Sequence, residues 1–132
     1  MRQLIVIGVA ACGLGLFAQQ SSPPALFTAA QAKAALALYQ EECGDCHSMN
    51  LTGSTGPALT GDGFWASWSK KTARNLYSRI LTSMPQQNPG SLTEKETLYL
   101  VIYILQGNGY PAGETPLTTA SQLDKVVLER LR

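Results

Sequence analysis

The stretch Cys43-Gly44-Asp45-Cys46-His47 places two cysteines two residues apart, with a histidine directly after the second. Cys-x-x-Cys-His is the pattern that attaches a c-type haem. One helical turn puts both sulfurs on the same side of the backbone, where each can form a thioether with a haem vinyl group. His47 is then placed to ligate the iron through an imidazole nitrogen. The motif therefore predicts one haem c, bound covalently through Cys43 and Cys46.

Three other interpretations of the cysteine pair each fit the sequence less well. A thioredoxin-like redox pair lies beside a βαβ pattern, and we find no strand pattern in this chain. A structural zinc ion takes four protein ligands, whereas the chain has one histidine and three cysteines, one of them Cys12 near the N-terminus. A plain disulfide of an exported protein leaves the adjacent histidine without a role. Haem attachment is the interpretation that uses all three residues.

The composition predicts one small domain preceded by a targeting segment. The chain has 132 residues and a formal net charge of +1, and a nucleic-acid partner would usually require a basic patch. We therefore expect no nucleic-acid partner. The basic residues cluster once, and the cluster is either a solvated helix face or part of a docking surface. It consists of Lys70, Lys71, Arg74 and Arg79.

The N-terminal segment is typical of a secretory signal. A short basic start precedes an apolar run from Leu4 to Phe17, which is too short for a comfortable transmembrane span. We expect residues 1–18 to be a signal peptide and residues 19–27 a linker. A lipoprotein signal over residues 1–11, leaving a lipidated Cys12, and an uncleaved anchor are the alternatives. Because bacteria attach haem c outside the cytoplasm, we expect a periplasmic protein, associated with the membrane only in those two alternatives.

The first predicted helix of the mature chain leads into the attachment motif. Thr28 and Gln31 form a capping box at its start, and an alanine-rich run follows. Leu36, Tyr39 and Cys43 recur at helical spacing. We therefore expect these three residues to face the haem and the core.

Two more helices are predicted after the motif. Thr72 can cap a helix that runs to about Ser83, and Thr93 opens a second capping box. The run 98–105 is apolar on most sides and should be buried, with Gly107 ending the helix. These helices would supply most of the remaining core.

The segment 48–63 is rich in glycine and is expected to be a loop. Leu51 and Leu59 are its apolar anchors, and both are predicted to touch the haem edge. Pro57 follows His47 closely enough for its carbonyl to accept a hydrogen bond from the free imidazole nitrogen, which would fix the ring. The alternative is that the segment around Pro57 is only a turn.

Met84 is the candidate for the second axial position of the iron. Met1 would be lost with the signal, and Met49 lies too close to His47 in sequence to reach the other face. Met84 follows a predicted helix and precedes Pro85, which suits a weak thioether ligand. Water at this position, or an empty position, are the alternatives, as is simple core packing of Met84.

Together these residues resemble the class I cytochrome c family over residues 29–110. The resemblance implies an all-α fold, a small helical domain wrapped around the covalent haem, whose N- and C-terminal helices cross near the haem edge. It also implies Pro57 as the acceptor for His47, and Ser48 stands where the family often has glycine. The matching residues are Tyr39, Cys43 to His47, Gly56-Pro57-Ala58-Leu59, Met84-Pro85 and Ile102 to Leu105.

The resemblance sets the expected domain boundaries. The cytochrome domain is expected over residues 28–110, followed by a C-terminal tail, 111–132, in which a short helix could begin near Gln122. Within the tail, four apolar residues would share one side of that helix: Leu123, Val126, Val127 and Leu131. Phe64, Trp65 and the Pro89-Gly90 turn look like a bacterial branch found with periplasmic dehydrogenases.

The expected function is single-electron transfer rather than catalysis. A dehydrogenase would be the donor and an oxidase or another cytochrome the acceptor, and a fixed place in a dehydrogenase complex is a variant of the same role. A haem-based sensor or binding module, in which a small gas displaces Met84, is the alternative. A peroxidase needs an open iron face and a distal acid or base, most often histidine, and the chain has no second histidine.

Overall fold

The computed structural model describes residues 22–131. Five α-helices form the fold: α1 Ala29–Glu42, α2 Gly44–His47, α3 Gly61–Trp68, α4 Ala73–Ser83 and α5 Glu94–Gly107. Two short strands, β1 Phe27–Thr28 and β2 Ala112–Gly113, pair in parallel, and a 3₁₀-helix spans Ala120–Leu123. The all-α, cytochrome c-like fold class predicted from the sequence is confirmed. The predicted signal peptide, the Cys12 alternative and the start of the linker lie outside the described residues.

Within residues 22–131, no helix is long and apolar enough to cross a membrane. Three of the helices begin as the sequence predicts, each at a threonine that caps the first turn. The Thr28 and Thr93 capping boxes are present, and Thr72 forms a third with Asn75. Each threonine hydroxyl accepts a backbone N–H that the helix itself cannot satisfy.

Helix α1 packs extensively against α5, which is the pairing of terminal helices that the resemblance implied. The buried face of α1 consists of Ala32, Ala35 and Tyr39. The prediction that Leu36 faces the core was wrong, because its side chain is 46% exposed. The stripe that contacts α5 is built on small alanines, which let the two helices approach closely, and Leu36 lies beside it.

Leu51 is buried, but it does not line the cavity described below. Its side chain fills the space that the absent side chain of Gly107 leaves at the end of α5, where a Cβ atom would collide with Leu51 Cδ1. The prediction that Leu51 touches the haem edge is therefore wrong. It anchors the loop to α5, whereas Leu59 does line the cavity.

The segment after Gly109 packs back onto the helices. The backbone of Leu128 bonds with Lys70 and Lys71, and Ala73 N–H donates to the carbonyl of Val126. After the 3₁₀-helix this strand-like stretch alternates, so that Leu128 is buried while Val127 is 52% exposed. Val127 therefore does not share a side with Leu123 and Val126, as a continuous helix would require. The boundary at residue 110 stays a prediction.

Gln31 ties the start of α1 to the C-terminal segment. Its Nε2 donates to the carbonyl of Leu117 (2.7 Å), and its Oε1 accepts the Leu117 N–H (3.0 Å). The same Oε1 accepts the N–H of Thr28 (3.1 Å) as part of the capping box. One half-buried amide thus satisfies three backbone groups.

We predict that Gln31→Ala lowers the free energy of unfolding by roughly 2–3 kcal/mol, because a cap and two long-range hydrogen bonds are lost together. Asn75→Ala is the matched control, since Asn75 completes the box of α4 with Thr72 only. It should cost under about 1 kcal/mol. Denaturant unfolding of the haem-loaded proteins measures both values. Equal losses in the two variants would show that the Leu117 contacts contribute nothing.

Candidate haem site

A cavity of about 550 Å³ lies between α2, α4, α5 and the loops around them. Its volume falls within the range of about 300–1,000 Å³ that is typical of ligand and cofactor sites. Cys43, Cys46 and His47 border the cavity, and so do Pro57, Leu59 and Met84. All six residues predicted as a site from the sequence therefore meet at one cavity. Much of its remaining wall is apolar and comes from Trp68, Leu76, Ile80, Leu100 and Ile104.

The two cysteines are free thiols at the junction of α1 and α2. Cys43 ends α1, donating its N–H to the carbonyl of Tyr39 (2.9 Å). Burial raises the pKa of the Cys43 thiol to about 12, and the charges of Glu42 and Cys46 add to the effect. Cys43 is therefore a neutral thiol at physiological pH. Gln87 Nε2 lies 3.9 Å from the sulfur of Cys46.

His47 is buried, and its ring has a single orienting partner within the described residues. The Nδ1 atom lies 2.8 Å from the carbonyl oxygen of Pro57. Because a carbonyl oxygen can only accept, Nδ1 carries the proton of this hydrogen bond, and in the neutral imidazole Nε2 is the nitrogen with a free lone pair. The hydrogen bond between His47 and Pro57 that the sequence predicted is present, so the segment around Pro57 is more than a turn.

Gly56 leaves the space that the histidine ring occupies. A Cβ atom at this position would lie 2.9 Å from Cε1 and 3.0 Å from Nδ1 of His47. The N–H of Gly56 also donates to the carbonyl of Cys46 (2.9 Å). The backbone of Gly56 therefore packs closely against the imidazole. This places the carbonyl of the next residue, Pro57, within hydrogen-bond distance of Nδ1.

Met84 is the residue that caps the C-terminus of α4. Its N–H donates to the carbonyl of Ile80 (3.0 Å), and its half-buried side chain lines the cavity. Met49, by contrast, is 40% exposed and is not a cavity residue. Of the two methionines in the described chain, only Met84 thus presents its thioether to the space beside His47.

Sequence reasoning missed several residues of the cavity and one helix. The sequence analysis assigned no helix and no part in the site to the stretch 64–68. This stretch lies in α3, where Phe64 and Trp65 are buried and Trp68 borders the cavity. Gln86 and Gln87 also line it. Their position directly after Met84-Pro85 was the signal available, since a loop that holds a ligand also brings its next residues to the rim.

The residues present fit a covalently bound haem. Two thiols and an imidazole whose Nδ1 is engaged by Pro57 border one cavity, with a thioether on the same cavity and apolar side chains over much of its wall. Gly56 lies against the imidazole, where a larger residue would collide with the ring. This donor set matches the ligands that proteins use for c-type haem.

Comparison with known proteins agrees with this arrangement. The family model "Cytochrome C oxidase, cbb3-type, subunit III" matches residues 30–104, more than half of the chain. The cavity and the match define a c-type cytochrome of the class I kind. The chain belongs to the cytochrome c oxidase, cbb3-type, subunit III family, and its cofactor is covalently bound haem c.

Two curated relatives are cytochromes c55X. The protein from Pseudomonas aeruginosa is 32% identical over 78 residues, covering 56% of this chain and 62% of that protein. The protein from Stutzerimonas stutzeri is 36% identical over 75 residues, covering 56% of this chain and 64% of that protein. This chain therefore spans less than two thirds of the length of either relative.

A solved structure shares the fold. The crystal structure of the sulfane dehydrogenase SoxCD from Paracoccus pantotrophus superposes with a TM-score of 0.58 and 20% identity. The match covers 92% of this chain and 67% of the other. It therefore extends well beyond residue 104, where the family match ends.

We predict that Gly56→Ala destabilises the haem-loaded protein by about 1–3 kcal/mol, because the new methyl group overpacks the histidine ring. The φ of Gly56 lies outside the left-handed region, so the backbone itself tolerates alanine. The unmodified protein is the reference, and denaturant unfolding measures both. Stability of Gly56→Ala equal to that of the unmodified protein would contradict the contact with His47.

Proposed function

We propose that this protein is a mono-haem electron carrier that works outside the cytoplasm. The observation that carries the proposal is the meeting of both thiols, the His47 imidazole and the Met84 thioether at one largely apolar cavity. Haem iron supplies a one-electron ferrous–ferric couple when bound. The chain would hold that iron through His47 and Met84, and its apolar cavity wall would exclude water.

Cys43 and Cys46 are the proposed attachment residues. Both sulfurs border the cavity, and both thiols are free within the described chain. A thioether at each one would fix the cofactor to α2, directly beside the histidine. Attachment at Cys43, at the junction of α1 and α2, and at Cys46 within α2 would hold the cofactor by two covalent bonds.

His47 is the proposed permanent ligand, and Pro57 is its positioning residue. The hydrogen bond from Nδ1 fixes both the tautomer and the direction of the ring. Such a bond also raises the basicity of the ligating nitrogen. Leu59, two residues further on, would cover the cofactor from the same loop.

Met84 is the proposed second axial ligand. A neutral thioether favours ferrous iron and raises the reduction potential. The apolar wall from Leu76, Ile80 and Leu100 acts in the same direction, because a low dielectric disfavours the extra positive charge of ferric iron. With both positions held by the protein, substrates would find no open iron, which supports a carrier rather than an enzyme.

The proposed electron path leaves the cavity at its rim beside Cys46 and Gln87, where Gln87 Nε2 lies 3.9 Å from the Cys46 sulfur. Partners would dock there transiently, through an interface below about 1,200 Å² as in other redox encounters. The family resemblance favours a dehydrogenase as donor and an oxidase or another cytochrome as acceptor. Export by the predicted signal over residues 1–18 would bring the chain to the periplasm, where haem c is attached.

We predict that Met84→Ala keeps the haem attached but lowers the reduction potential and abolishes the weak long-wavelength band that marks methionine on ferric haem c. Met49→Ala is the matched control, because that exposed methionine lies outside the cavity. Absorption spectra and potentiometric titration of the exported proteins measure both properties.

An unchanged potential in Met84→Ala would remove Met84 as a ligand. Rapid binding of carbon monoxide by the unmodified ferrous protein at neutral pH would instead favour the gas-binding function, since it requires the second axial position to open. Slow or absent binding in the unmodified protein, with fast binding in Met84→Ala, is the result expected of a carrier.

We also predict that the double variant Cys43→Ser, Cys46→Ser loses covalent haem altogether, because serine forms no thioether. Each single variant should retain one bond. Extraction with acidified acetone followed by mass spectrometry of the protein separates these cases. Haem that resists extraction from the double variant would contradict the attachment residues.

A further inference from the structure

The backbone directly after His47 adopts a conformation that side chains disfavour. Ser48 has φ 62° and ψ 149°, close to a region that is essentially restricted to glycine. Non-glycine residues persist there only where the surrounding structure holds them. A serine in this conformation therefore needs contacts that hold the turn.

Two tyrosines from different helices supply such contacts. Tyr39 of α1 donates its hydroxyl to the carbonyl of Ser48 (3.0 Å), and Tyr103 of α5 donates to the carbonyl of Met49 (2.8 Å). Their rings stack on each other, with centroids 4.0 Å apart and planes 20° apart. Burial raises the pKa of both phenols, so both remain protonated donors. The two hydroxyls therefore bind consecutive carbonyls of one turn.

The held turn connects directly to the histidine. Gly53 N–H donates to the carbonyl of His47 (3.0 Å), and the Ser48 hydroxyl donates to the carbonyl of Gly53 (2.8 Å). Leu51 N–H donates to the same Ser48 carbonyl that Tyr39 binds. Ser48 thus makes three hydrogen bonds, two through its carbonyl and one through its hydroxyl. It lies directly after His47, whose ring borders the cavity.

We infer that Tyr39 and Tyr103 are positioning residues for His47: their stacked rings brace two hydroxyls that hold the turn at Ser48 and so set the direction of the imidazole. The inference rests on the proposed role of His47 as an iron ligand. Each tyrosine then has two roles. Its ring packs α1 against α5, and its hydroxyl holds the turn.

Replacement by phenylalanine tests the hydroxyls alone, since the stacked rings are kept. The variants are Tyr39→Phe, Tyr103→Phe and the double variant, all as haem-loaded protein. Tyr99→Phe is the control: it lies on α5 as well, but its hydroxyl makes no hydrogen bond within residues 22–131, and its ring contacts Lys95. If the double variant fails to fold, the single variants still carry the test.

The first measurement is amide hydrogen exchange at Leu51 and Gly53, which reports the turn whether or not His47 binds iron. We expect exchange to accelerate roughly fivefold for each hydroxyl removed, and to stay unchanged in Tyr99→Phe. Exchange in the double variant equal to that in the control would overturn the proposal.

The second measurement is the proton NMR spectrum of the oxidised protein, because the pattern of haem methyl shifts depends on the direction of the axial imidazole. We expect this pattern to change in the double variant and not in Tyr99→Phe. A lowered melting temperature with an unchanged methyl pattern would also overturn the proposal, since the tyrosines would then serve stability alone. A failure of His47 to ligate iron would be seen separately, in the spectrum of the unmodified protein.

Discussion

The hydrogen bond from His47 Nδ1 to the carbonyl of Pro57 closes the loop between these two residues around the imidazole. It assigns the proton to one ring nitrogen and leaves the other free for a metal. The loop between these residues consists largely of turns whose backbone bonds are made within it. Ser54 and Gly56 both donate to the carbonyl of Cys46. The motif 43–47 and the Pro57 carbonyl that orients His47 are therefore joined by hydrogen bonds within one short segment, and the helices pack around that segment.

Enclosure comes from two directions. Helix α1 leads into the two cysteines and packs against α5, whose Leu100 and Ile104 line the same cavity as the cysteines. Helix α4 closes another side and ends at Met84. The C-terminal segment supports this arrangement from outside, since Val126 and Leu128 bond with the turn from which α4 starts. A redox site benefits from such rigidity, because little then has to move when the charge on the iron changes.

The local signals in the sequence were reliable because each depends on neighbouring residues only. A threonine cap with a glutamine or glutamate three residues later predicted the starts of α1 and α5, and Met84-Pro85 marked the end of α4. Predictions that depended on the partner of a face were weaker. Leu36 was expected inside because it is apolar and spaced for a helix, yet the close approach of α5 favoured the alanines beside it. Leu51 was predicted to contact the haem, but its side chain packs against Gly107 of α5 instead.

The sequence by itself determined the class of cofactor, because Cys-x-x-Cys-His is the pattern that attaches haem c. The scarcity of other sulfur and imidazole ligands left few alternatives. The sequence also determined the helix starts, since capping is local. Only the tertiary structure decided which side chains share the cavity, such as Trp68 and Gln87, and which phenols reach the carbonyls after His47. The contacts of Gln87 with Cys46 and of Tyr103 with Met49 join residues 41 and 54 positions apart. Their geometry follows from how the helices pack rather than from any spacing along the chain.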